Sequence, residues 1–259
     1  MTEQPAGLQQ RVADAIEPHA IAESRHRILN AFTDQKLLLL AQVAGVGRAT
    51  NVLDLACGKG ELLCRWAQEY GSIGHGVDLW QPFVNAARAR ADELGVSAAV
   101  SFEQGDAGEY RAAPASYDLA CCMGATWIGG GVGGTIALLR PALRPGGLII
   151  IGEPYWIDPP PDEAYDALGF GPDEFASLPG LLDRFEAAGA ELIELVMADP
   201  SCWDRYVGAQ WATLRAWLDA HPSHPRHEQL SARLVTERRG YLTYQRRYLG
   251  WGAFVLRAD

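Results

Sequence analysis

The chain has 259 residues, 48% of them hydrophobic, enough for one α/β domain with insertions and without a disorder signature. Its formal net charge of −10 argues against nucleic acid as a partner, since neutralising phosphates takes a surplus of Lys and Arg, and the pairs Arg238-Arg239 and Arg246-Arg247 read as solvated faces. No apolar run reaches the length of a membrane span, and the first residues lack a basic stretch followed by an apolar one, so the expectation is a soluble, cytoplasmic protein without a membrane partner.

In chain order, the segment to about Gly45 reads as helical. Asn51 to Ala56 is an apolar, strand-like run, and Glu61 to Tyr70 places Leu62, Leu63, Trp66, Ala67 and Tyr70 on one helical face. Ile73 to Leu79 is a second strand. Pro82 sits in the first turn of a helix that runs to Leu94 and is closed by Gly95. Ala98 to Glu103 and Tyr117 to Met123 follow as strands, with a helix from about Thr135 to Leu143 and a central strand from Leu148 to Gly152. Glu153 to Phe175 reads as a proline-rich loop, Pro179 to Ala188 as a helix, Glu191 to Met197 as a strand and Gly252 to Arg257 as the last strand. Two helices, about Trp203 to Ala220 and Arg226 to Gly240, form an insertion before it. Alternating strands and helices make a parallel sheet covered on both faces.

The densest information lies in Val52-Leu53-Asp54-Leu55-Ala56-Cys57-Gly58-Lys59-Gly60, followed by Asp78 at a strand end and Gly105-Asp106-Ala107 after a third strand. This is a strand, a glycine turn that lets a ligand touch the backbone, and a helix, with acids at two further strand ends: a nucleoside pocket. Backbone at 56–60 suits an amino-acid moiety, Asp78 two ribose hydroxyls, and Asp106 an adenine amino group. Leu63 stands where a dinucleotide fingerprint wants its third glycine, which counts against, without removing, an NAD-dependent oxidoreductase. A non-catalytic cofactor-binding protein is the other alternative.

Asp54-Leu55-Ala56-Cys57-Gly58-Lys59-Gly60, Asp78, Gly105-Asp106 and Arg144-Pro145-Gly146-Gly147 resemble the successive motifs of class I S-adenosylmethionine-dependent methyltransferases over about residues 50–155. Ser24-Arg25-His26-Arg27-Ile28, Gly124-Ala125-Thr126-Trp127-Ile128, Gly152-Glu153-Pro154-Tyr155-Trp156 and Trp203 to Tyr206 are similar to stretches of small bacterial methyltransferases of largely unassigned substrate. The resemblance implies a Rossmann-like, seven-stranded, mostly parallel sheet in a single domain. An N-terminal helical cap would span 1–48, a cofactor-binding core 49–198, a helical lid 199–249, and the final strand 250–259. It implies S-adenosyl-L-methionine as cofactor, held by Asp54, Ala56, Cys57, Gly58, Gly60, Asp78, Leu79, Gly105, Asp106, Ala107 and Met123, with Trp80 or Phe83 against the adenine.

The acceptor is expected beyond the C-terminal ends of the strands. His26 and Glu153 are the candidate bases and Tyr155 an orienting hydroxyl. Trp127, Trp156, Trp203 and Tyr206 are candidate substrate contacts, and the face Trp203, Tyr206, Gln210, Leu214, Trp217 a candidate lid. Aromatic rings beside a carboxylate suit a small amine or heteroaromatic acceptor. Cys57, Cys64, Cys121, Cys122 and Cys202 show no C-x-x-C spacing and read as small buried residues. His221, His224 and His227 are interrupted by Pro222 and Pro225 and read as a solvated loop, so no metal is expected.

Overall fold

The computed structural model describes residues 16–258. Residues 1–15 of the expected cap of residues 1–48 lie outside the described residues. Residues 16–22 are helical (α1), 23–33 are largely irregular, and α2 spans Asp34–Val43, capped by the Thr33 side chain, which accepts from the Lys36 N–H.

The alternating region follows the expected order: β1 (Asn51–Leu55), α3 (Glu61–Tyr70), β2 (Ile73–Asp78), α4 (Gln81–Glu93), β3 (Val100–Gln104), β4 (Tyr117–Met123), α5 (Val132–Leu139) and β5 (Leu143–Trp156). Then come α6 (Asp162–Leu168), α7 (Leu178–Ala187), β6 (Ala190–Met197), the two inserted helices α8 (Pro200–Ala220) and α9 (His227–Gly240), and β7 (Leu249–Ala258). The seven strands form one sheet in the order β3-β2-β1-β4-β5-β7-β6. Strands β1 to β5 are parallel, and β7 runs antiparallel to both β5 and β6.

The period of two along the strands divides the core between the two faces of the sheet. Val52, Cys121, Ile150 and Val255 point to the side covered by α2, α3 and α4, while Leu53, Cys122, Ile149 and Leu256 point to the side of α5 and α7. Adjacent Cys121 and Cys122 thus belong to separate cores, and all five cysteines are buried and free. Trp66, fully buried, donates from its indole N–H to the Leu37 carbonyl at 2.9 Å and so docks α2 onto α3.

Residues 153–175 correct the loop expectation. Strand β5 continues through Glu153, Pro154, Tyr155 and Trp156, paired with β7, and α6 follows. Pairing with β4 stops at Gly152, so at Pro154 the strand is open on that side and tolerates a residue without an N–H. The lengthened β5 places Tyr155 directly opposite Gly250, where the phenol ring lies over the glycine and occupies the space a Cβ would need. Gly250→Ala is expected to displace that ring and lower stability by about 1–3 kcal/mol, the usual cost of overpacking a filled site. Urea denaturation checks this, and a midpoint equal to wild type would mean that the ring moves freely.

Candidate functional site

The strand order reverses about β1, which has β2 on one side and β4 on the other, and the carboxyl ends of β1 to β4 open there onto a cavity of about 280 Å³. Its floor is local in sequence. After β1, Ala56, Gly58 and Gly60 all take left-handed backbone conformations, with φ of +61°, +56° and +69°. These conformations fold the chain back tightly enough for α3 to begin directly after Gly60. That glycine offers no side-chain cap, which leaves first-turn N–H groups for solvent or a ligand. At Gly60 a Cβ would lie 2.6 Å from the Phe102 ring, so only glycine fits the turn there.

Asp54, Ala56, Cys57, Gly58, Asp78, Leu79, Asp106, Ala107 and Met123 all line the cavity, as do Trp80 and Phe83. Gly60 and Gly105 do not. Gly60 shapes the turn from behind, and Gly105 donates its N–H to the Asp78 carbonyl. Asp78 accepts from the Gly58 N–H at 2.8 Å and the Trp80 N–H at 2.9 Å, which fixes its carboxyl at the cavity wall. Asp106 accepts from the Gly108 N–H at 2.9 Å.

Burial raises the carboxyl of Asp78 above the usual range, against the pull of its two N–H donors. It raises Asp54 further, to about 8, with the neighbouring Asp78 adding to the effect. Asp54 Oδ1 is buried and lacks a hydrogen-bond partner among the described residues. An orphaned acid on the wall of a cavity fits a cationic ligand group such as the ammonium of an amino acid.

The roof comes from far away in sequence. Ile16, His19, Arg27, Ile28, Leu29 and Asn30 close the cavity from α1 and the loop after it. Leu29 lies on the glycine turn, and Lys59 donates from Nζ to the carbonyls of Glu23, Ser24 and His26 at 2.7, 3.3 and 2.9 Å. His19, which burial keeps below the ordinary imidazole pKa, is a titratable roof residue that sequence reasoning missed. Nothing local marks it, because its position depends on how the N-terminal segment packs.

The expected catalytic groups lie elsewhere. His26 sits in the roof loop with Nε2 3.2 Å from the Tyr206 carbonyl and Nδ1 3.1 Å from the buried Glu23 carboxyl, facing α8 rather than the cavity. Glu153, 5% exposed, accepts from the Thr126 hydroxyl at 2.8 Å and so anchors the short turn Thr126–Gly129, which carries Trp127 and Ile128 to the cavity. Tyr155 is packed over Gly250.

Of the four aromatic substrate candidates, Trp127 lines the cavity and is 71% exposed at its rim. Trp156 is buried among Tyr165, Phe170 and Phe175. Tyr206 donates to Glu23 at 2.6 Å, and Trp203 packs beside it with a ring separation of 6.3 Å. The expected lid face divides: Tyr206 and Gln210 bond Glu23, whereas Leu214 and Trp217 pack on α9. His221 stacks on Trp217 at 4.6 Å and His224 meets the same ring edge-on at 4.8 Å.

An open, mostly parallel sheet with a glycine turn after β1 and acids at the ends of β1, β2 and beyond β3 defines a nucleoside-cofactor-binding α/β protein. Residues 52–147 match the family model described as a methyltransferase domain. Over 238 residues the chain is 43% identical to YjhP of Escherichia coli K12, covering 91% of this chain and 96% of that one. A structure of a Geobacter sulfurreducens S-adenosylmethionine-dependent methyltransferase with S-adenosylhomocysteine is 44% identical with a TM-score of 0.90, covering 94% and 98% of the two chains. A Thiobacillus denitrificans methyltransferase, also with S-adenosylhomocysteine, is 44% identical with a TM-score of 0.89, covering 93% and 98%. The chain belongs to this family of S-adenosylmethionine-dependent methyltransferases, in the same group of small bacterial proteins as YjhP. Its cofactor is S-adenosylmethionine, which removes the NAD-dependent oxidoreductase alternative. Among the described residues no helix is long and apolar enough to cross a membrane.

Burial raises Glu153 to about 7 from an ordinary 4.5, against the Thr126 hydrogen bond. The folded protein therefore holds a proton between those values that the unfolded chain has lost, and this group's contribution to stability falls as pH rises through that window. Glu153→Gln is expected to match wild type near pH 4.5 and to gain above pH 7, by about 3 kcal/mol at most. Urea midpoints at the two pH values measure the difference, and an equal offset at both would show that Glu153 does not titrate there.

Proposed function

We propose that the protein methylates a small aromatic or heteroaromatic acceptor held under the roof, beside the cofactor. The observation that carries this reading is the continuity of one cavity: Asp54, Asp78 and Asp106 lie on its floor, and Ile16, Ile28, Leu29, Leu37, Met123 and Trp127 make an apolar wall alongside. Glu153, the acid expected to face a cationic amine, is off the cavity, so the wall favours a flat, uncharged reacting group over an ammonium.

S-adenosylmethionine supplies a methyl group already activated on a sulfonium. The chain's own contribution is then to orient the acceptor within about 3–3.5 Å of the methyl carbon and to exclude water. We assign the amino-acid part of the cofactor to Asp54 and the turn at Ala56, Cys57 and Gly58, the ribose to Asp78, and the adenine to Asp106 with Leu79, Ala107, Trp80 or Phe83 around it. His19, its imidazole pKa lowered by local desolvation, is the roof group suited to take a proton from a nucleophile that must lose one.

Calorimetric titration of S-adenosylhomocysteine tests the cofactor assignment. Wild type is expected to bind in the micromolar range, and Asp78→Ala at least about 10-fold more weakly. Because Asp54 is mostly protonated at pH 7, an ammonium beside it should expel close to one proton. The heat should therefore differ between Pipes and Tris buffers for wild type, and this difference should disappear in Asp54→Asn. Equal heats for wild type in the two buffers would place the ammonium away from Asp54.

The acceptor assignment is tested by screening aromatic and aliphatic amine acceptors with labelled cofactor. Turnover confined to aliphatic amines would overturn the aromatic reading. With an acceptor in hand, His19→Asn is expected to lower kcat by about 10- to 100-fold with unchanged affinity for S-adenosylhomocysteine.

A further inference from the structure

Three residues of the glycine turn and its exit reach the roof. Leu29 fills the place where a Gly58 Cβ would stand, Lys59 extends to the loop after α1, and Glu61 starts a chain of charges that ends on that loop. Lys59 lines the cavity, yet its ammonium has three hydrogens and three backbone carbonyls take them, those of Glu23, Ser24 and His26. Its Nζ also lies 5.6 Å from the centre of the Phe83 ring, which closes the space beside it. The ammonium is thus spent on the loop and not on a ligand.

The link through Glu61 is longer and weaker. Buried Glu61 holds Arg90 in a fork at 2.7 and 2.8 Å, Arg90 pairs with Glu93 at 2.8 Å, and Glu93 pairs with Arg27 of the roof at 2.9 Å. In the last pair both side chains are about half exposed, and such a pair contributes little. Hydrogen bonds from a half-buried ammonium to carbonyls outside any helix ladder are stronger, so Lys59 is the main hold.

Glu23, Ser24 and His26 do not themselves line the cavity, so a molecule in it acts on them only through other residues. The turn that carries Lys59 includes Ala56 at φ +61°, a conformation that costs a non-glycine residue free energy. A ligand bonded to the backbone there favours that conformation, and with it the position from which Lys59 reaches the loop. We propose that Lys59 is a positioning residue through which the cofactor, once seated on the turn, holds the roof over the acceptor side of the cavity. This rests on the cofactor assignment above. The wall that Ile28 and Leu29 offer the acceptor is then complete only after the cofactor has bound.

Hydrogen exchange of the full chain at single amides, with and without saturating S-adenosylhomocysteine, tests the link. In wild type the ligand is expected to slow exchange at the floor amides of Gly58 and Trp80, which bond Asp78. It should also slow Glu23, Ser24 and His26, whose amides hold the turn after α1, by at least about 5-fold, the lower end for coupled sites. In Lys59→Met, which keeps the apolar stem without the donors, the floor response should persist and the roof response fall below about 2-fold. A lysine that only stabilised the roof would speed its exchange equally with and without ligand, leaving the ratio unchanged. Glu93→Gln, which cuts the outer chain, is expected to keep the wild-type ratio. A wild type whose floor amides respond while its roof amides do not overturns the link, whether or not the variant folds. So does a Lys59→Met roof that still responds, or a Glu93→Gln roof that does not. A wild type in which the ligand slows neither set removes the cofactor assignment, and this inference with it.

Discussion

The cavity has a roof because Glu23, an acid with no exposure to water, is held from three directions. Tyr206 and Gln210 of α8 donate to one of its oxygens, and His26 of its own loop lies 3.1 Å from the other. Burying such a group is costly, and the two donors on Oε1, with His26 close to Oε2, offset that cost only where the loop meets α8. Lys59 completes the arrangement from below: three backbone carbonyls of the same loop take its ammonium hydrogens, which ties the roof to the glycine turn on the floor. The inserted helices thus act on the site at second hand. They hold Glu23, Glu23 holds the loop, and the loop brings Leu29, Asn30 and Arg27 over the cavity.

This explains which parts of the site could be read from sequence. The floor is built from contacts close along the chain or one strand apart, and its chemistry is bound to backbone shape: a glycine turn after an apolar strand, and acids where the next strands end. Asp54, Asp78 and Asp106 were legible for that reason. The roof depends on pairs such as Glu23 with Tyr206 and with Gln210, more than 180 positions apart, and no periodicity encodes which way such a loop turns. His26 was legible as a chemically able residue near the right region, but its side chain is used to join loop to helix, and His19, two turns of chain earlier, faces the cavity instead.

A different physical cause hid Tyr155 and Trp156. Gly152 and Pro154 near the end of β5, with Pro159, Pro160 and Pro161 just beyond it, look like loop chemistry, yet a strand that outruns one neighbour can keep the other. Beyond Gly152 the pairing with β7 continues to Leu249, and that antiparallel partner was underestimated because its own first residues, Leu249 to Trp251, include a glycine. Gly250 is the space that the Tyr155 ring needs. Most of the aromatic residues expected at the site are held in packing contacts away from the cavity: Trp156 in a ring cluster with α6 and the loop after it, Tyr206 on Glu23 with Trp203 beside it, and the expected orienting hydroxyl Tyr155 across the sheet. Trp127 escapes this fate because Glu153 pins the turn before it from below, leaving the indole at the rim.

The two halves of the cavity also differ in how they treat charge. On the floor, burial holds Asp54 and Asp78 above the usual carboxyl range, so without a cation beside them their ionisation is unfavourable. A ligand with a positive group relieves that cost on arrival, and the binding energy is concentrated where the floor is least well solvated. On the roof the cations are already taken up: Lys59 has its hydrogens on the carbonyls of Glu23, Ser24 and His26, and Arg27 pairs with Glu93.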